Sequence, residues 1–71
     1  MSFYDYRPLR YEIIRRYGNM KKFCSTAGIS YETFMKQINT EFDEDMVLKI
    51  SESMNLTDSD IEELLYIKKG V

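Results

Sequence analysis

Gly28, Ile29 and Ser30 follow one another in this chain and between them end one helix, fill a core and start the next helix. A glycine takes the left-handed conformation that closes a helix without a Cβ clash, and a serine hydroxyl accepts from the first free N–H groups of the helix it precedes. Upstream, Met20, Phe23, Cys24 and Ala27 recur at the three-and-four spacing of a buried stripe, which predicts a helix over 20–27 capped by Asn19. Downstream, Phe34 and Ile38 lie one turn apart, which predicts a helix over 31–38 with Glu32, Lys36 and Gln37 on its outer side. A small residue (Cys24) in the first helix, a glycine at the turn and an apolar residue just after it let two helices cross closely at a steep angle. Whatever else the chain does, it must accommodate this pair.

The flanking sequence reads as helix throughout. Leu9, Ile13 and Tyr17, with Ile14 alongside, line one face of a helix over 6–17 that Asp5 caps and Gly18 ends, with Pro8 tolerated in its opening turn. Arg7, Glu12 and Arg15 are expected to face outward. After a loop at 39–42, Asp43 caps a fourth helix whose core face is read as Val47, Leu48, Ile50 and Met54, with Asn55 in the left-handed conformation at its end and Leu56 in the core beyond. Met46 is also expected in the core, while Met20 and Met35 are candidates for a contact face. Thr57 and Asp60 have the form of a capping box opening a fifth helix, carrying Ile61, Leu64 and Leu65 and ending at Gly70. Five helices and no strand are expected. A chain of 71 residues, 44% apolar and 31% charged, has the composition of an ordinary globular protein and enough core for one domain.

Composition excludes several classes. One cysteine, Cys24, makes no intramolecular disulfide, and the absence of histidine removes the usual zinc sites, so neither a metal nor another cofactor is expected. Cys24 reads as a small buried side chain. Asp5 and Arg7 close behind Met1 do not have the order of a signal peptide, and no apolar run is long enough to span a bilayer. No membrane association and a cytoplasmic location are expected. So short a helical chain offers no water-excluding pocket, so neither an enzyme nor a small-molecule substrate is expected. Net charge is −2 but unevenly placed. Residues 1–40 carry Arg7, Arg10, Arg15, Arg16, Lys21, Lys22 and Lys36 against Asp5, Glu12 and Glu32, a balance of +4, whereas 41–71 come to −6. If the fold keeps the halves apart, each sign can mark a contact surface.

The run from Met20 to Asn39 resembles the Cro/repressor-type helix-turn-helix of phage regulators, and Val47 to Ile50 with the Met54-Asn55-Leu56 ending resembles that family's fourth helix. The likeness covers about residues 6–66. It implies a compact all-α bundle of five helices, of the lambda-repressor-like DNA-binding type, with helices two and three as the helix-turn-helix. It further implies that the helix 31–38 enters a DNA major groove, presenting Tyr31, Glu32, Thr33 and Lys36, with Gln37 as an additional candidate. Lys21, Lys22, Asn39 and Thr40 are placed by it near the phosphates.

The chain departs from that pattern where Met20 stands at a position often held by Gln, where Glu41 follows Asn39-Thr40 in place of a cation, and where Asp43, Glu44 and Asp45 add negative charge. Two functions therefore stand side by side. One is a Cro-like phage or prophage regulator of the lysis-lysogeny switch that binds operator DNA, as a homodimer with two recognition helices in successive grooves. The other is an antirepressor, similar to lactococcal-type phage modulators of repression, that docks on the DNA-binding domain of a partner repressor and blocks its operator. The basic N-terminal half favours the first and the acidic run the second, although Asp43, Glu44 and Asp45 also suit a helix N-terminus whatever the partner. Leu65, Tyr66, Ile67 and Val71 at the end of the fifth helix are candidates for self-association.

Overall fold

A computed structural model describes residues 4–68. Helices α1 (Arg7–Tyr17), α2 (Met20–Ala27), α3 (Tyr31–Ile38), α4 (Glu44–Met54) and α5 (Asp58–Leu65) follow one another along the chain. Among the described residues the only extended pairing is an isolated antiparallel bridge between Tyr4 and Lys68. Helix α2 is central: it packs on α1, α3 and α4, and α1 packs in addition on α5.

Local chemistry sets most boundaries. The side chains of Asn19, Ser30, Asp43 and Thr57 each accept from the backbone N–H of the residue three further on, and Asp60 completes the capping box by accepting from Thr57 N–H. Gly28 (φ 70°) and Asn55 (φ 54°) take the left-handed conformation at the ends of α2 and α4. The space around Gly28 is open, so glycine is required there by φ and not by crowding.

Some expectations are corrected. Asp5 does not occupy the N-cap of α1; Tyr6 does, without a side-chain bond, while the Asp5 carboxylate takes the Arg7 N–H and its guanidinium. Leu48 is exposed, because α4 turns Met46, Ile50 and Met54 inward at four-residue spacing, and Leu48 lies about 200° around the helix from Met46. Ile14 is exposed, beside an α1 stripe that buries Leu9 and Ile13. Glu12 is half-buried, holding both Arg15 and Arg16. Helix α5 stops at Leu65, well before Gly70, which with Val71 lies outside the described residues. The cause is tertiary: Ile67 C=O accepts from Asp5 N–H at 2.7 Å, which draws the chain into an extended path beside the N-terminus.

The core holds residues that periodicity does not mark. Phe42, in the loop between α3 and α4, and Tyr6, before α1, are buried together with ring centroids 4.5 Å apart. They belong to an unbroken sequence of ring contacts: Tyr17, Phe23, Phe34, Phe42, Tyr6, Tyr4 and Tyr66. The Tyr6 hydroxyl accepts from the buried Phe42 N–H at 3.1 Å. Replacing Tyr6 by Phe keeps the ring and orphans that N–H, so a loss of about 1–3 kcal/mol is expected in urea unfolding. Burial, partly offset by the Phe42 bond, raises the Tyr6 pKa above the ordinary 10.0. The folded chain thus holds this proton to higher pH than the unfolded chain. Its contribution is complete below about pH 10 and is lost as pH rises through the raised value. Stability measured against alkaline pH should fall less steeply in Tyr6→Phe than in the parent.

Candidate functional site

The exposed side of α3 and the start of α2 form one surface. Tyr31, Glu32, Thr33 and Lys36 of α3 and Lys21 and Lys22 of α2 are all exposed. The Lys21 ammonium lies 5.8 Å from the centre of the Tyr31 ring, so the two helix starts are linked by a cation–π contact. Met20 is half-buried against the core, and Met35 likewise. Both thus pack against the core while keeping part of their surface exposed. Beside Lys21 and Tyr31 runs an open, largely apolar groove of about 400 Å³, lined by Ile14, Gly18, Asn19, Met20, Lys21 and Tyr31. That Ile14 of α1 and Gly18, which caps it, contribute to this surface is not visible in the α2–α3 sequence.

The remaining candidates are held by their own neighbours. Gln37 is half-buried; its amide donates to Asp43 Oδ2 and accepts from Asp43 N–H, both at 3.0 Å. This clasp fixes the loop that carries Phe42. Asn39 donates to Met35 C=O and accepts from the Arg10 guanidinium at 3.4 Å, and Thr40 donates to Lys36 C=O. Asn39 and Thr40 thus close the end of α3 while remaining exposed.

Charge is distributed more locally than the two halves of the sequence suggest. Arg7 pairs with Asp5, and Arg15 and Arg16 share Glu12, whose carboxylate is held below its ordinary range by those hydrogen bonds. Arg16 also donates to Met54 C=O at 2.8 Å, capping the end of α4 from α1. Lys21, Lys22 and Lys36 form no ion pair among the described residues, and they are the cations this surface can offer a partner. Glu41, Asp43, Glu44 and Asp45 are exposed on the adjoining loop and the first turn of α4. The basic and acidic stretches interleave, since α1 lies on α5.

Cys24 is buried in the core, and burial pushes its thiol pKa up, away from the nucleophilic thiolate. Among the described residues no group of three or more His, Cys, Asp or Glu is placed to hold a metal ion. No helix among them is long and apolar enough to cross a membrane. Neither a protein-family model nor a curated protein matches the sequence.

The geometry separates supporting residues from those free for contact. Gln37→Ala, which opens the loop clasp, should cost on the order of 1 kcal/mol in thermal or urea unfolding. Lys36→Ala, with no partner to lose, should stay within about 0.5 kcal/mol of the parent. Equal losses for the two would show that Lys36 is part of the folded framework.

Proposed function

We propose that this chain is a helix-turn-helix transcriptional regulator of the Cro/repressor kind, of phage or prophage origin, that binds operator DNA through α3. The observation that carries this reading is the exposed set Tyr31, Glu32, Thr33 and Lys36 on one short helix, flanked by Lys21 and Lys22, with no carboxylate among the described residues pairing with the three lysines. In a major groove, Lys36 would donate to guanine O6 or N7, Glu32 would accept from cytosine N4 and Tyr31 would meet a thymine methyl or a phosphate. Lys21 and Lys22 would lie on the backbone, adding affinity that falls with salt and carries no sequence preference. Gln37 supports the loop in this reading and does not read bases.

A second reading rests on two features, the apolar groove of Ile14, Met20 and Tyr31 and the exposed carboxylates Glu41, Asp43, Glu44 and Asp45. Apolar lining suits a protein contact better than a phosphate track, and exposed carboxylates oppose DNA. In that reading the same surface docks on the DNA-binding domain of a partner repressor and blocks its operator.

Mobility shifts of the pure protein on its own promoter region, with and without the neighbouring repressor, separate the two. A dose-dependent shift by this protein alone is expected, weakened about 10- to 100-fold by Lys36→Ala if Lys36 reads a base. No shift of its own, together with release of the repressor from its operator, would overturn the DNA reading in favour of the second.

A further inference from the structure

Arg7, Arg15 and Arg16 are each engaged by a carboxylate, whereas Arg10 forms no ion pair among the described residues. It stands half-buried on α1, and its guanidinium reaches across to the end of α3, where Nη2 donates to Asn39 Oδ1 at 3.4 Å. Asn39 is oriented for this contact: its Nδ2 donates to Met35 C=O at 2.9 Å, which turns the amide oxygen toward Arg10. A guanidinium has five N–H donors, and Asn39 is the one acceptor this one meets among the described residues. The charge is therefore aimed at the end of α3 with most of its donors unused.

That end of α3 is otherwise unfavourable to an anion. The last carbonyls of a helix carry partial negative charge, and Glu41 follows, exposed, two residues after the C-cap Asn39. Asn39 and Thr40, which the family resemblance places near phosphates, carry no charge, and the Thr40 hydroxyl proton is already given to Lys36 C=O. At the opposite end of α3, Lys21 lies over the Tyr31 ring. The helix has 8 residues and is thus about 12 Å long, close to the width of a DNA major groove, about 12 Å. With α3 in that groove, each of its ends approaches one of the two phosphate strands that wall it. We infer that Arg10 is the phosphate contact at the C-terminal end of α3, the counterpart of Lys21 and Lys22 at its start. The cation missing from the loop after α3 is supplied from α1, and Asn39 acts as the positioning residue that aims it. A planar fork with free donors suits a phosphate, which it can grip with two N–H groups at once. This contact rests on the DNA reading proposed above.

Fluorescence anisotropy of the full chain on a labelled duplex of its own promoter region, and on a random-sequence duplex of equal length, tests this over a series of salt concentrations. Arg10→Gln should flatten the fall of log affinity with log salt by about one unit, and should weaken both duplexes by a similar factor, because a phosphate contact carries no sequence preference. Arg10→Lys, which keeps the charge and loses the fork, should retain the parent's slope while binding less tightly. Lys49→Gln removes an exposed cation from α4 with the same change in net charge, and should leave the slope as in the parent. A parent that binds while Arg10→Gln keeps its slope would overturn the contact alone, and a loss of affinity at that unchanged slope would make Arg10 a support for α3. An equal flattening by Lys49→Gln would overturn it as well, since net charge would then explain the effect. A parent that binds neither duplex overturns the DNA reading and this contact with it.

Discussion

The contact on which the other packing depends is the stacking of Phe34 and Tyr6 on either side of Phe42. Phe42 belongs to no helix, yet its ring joins α3 to the segment that leads into α1, and its N–H is satisfied by the Tyr6 hydroxyl. A loop residue buried without that hydroxyl would leave a backbone donor unpaired in an apolar interior. The Gln37–Asp43 clasp on one side and the Asp43 cap of α4 on the other keep the loop in the conformation that drives Phe42 inward. Through Phe34 the ring contacts continue to Phe23 on the central helix, so α1, α2, α3 and the terminal segments are registered against one another by aromatic faces.

What was legible in the sequence was local. A cap acts within a few residues, so Asn19, Ser30, Asp43 and Thr57 mark helix starts correctly, and Gly28 and Asn55 mark ends for the same reason. The apolar stripes of α2 and α3 are short and unambiguous. Helix α4 offers more apolar residues than one face can bury, and the Met46–Ile50–Met54 stripe prevails over Leu48 because it faces α2. Phe42, the clasp of Gln37 and the early end of α5 depend on partners several to many residues away, which no periodicity encodes. Asp5 lies one position too early to be the cap: the helix starts at Arg7 with Tyr6 as N-cap, and the Asp5 carboxylate takes the Arg7 N–H together with its guanidinium.

For the functional surface, the sequence names the residue types but not their commitments. Tyr31, Glu32, Thr33 and Lys36 are exposed on α3, while Asn39, Thr40 and Gln37 answer to neighbouring carbonyls, to Arg10 and to Asp43. The count of positive charges in the first forty residues also overstates what is on offer, since Arg7, Arg15 and Arg16 are engaged by carboxylates close in sequence. The surface that remains combines lysines with an apolar groove. In the function proposed above, that mixture makes DNA and protein the two competing partners, and the balance between electrostatic attraction and apolar burial would decide between them.

The pairing of Asp5 with Ile67 and of Tyr4 with Lys68 brings both ends of the described chain to a single pole, at the start of α1. A fusion partner or surface tether joined beside either of these ends therefore starts from the same side, next to Tyr66. Joining the two ends and cutting the chain elsewhere would also demand little of the fold there, because the closure already exists as hydrogen bonds. The contacts that span the most sequence are thus also the place where the topology of the chain can be redrawn with the shortest link.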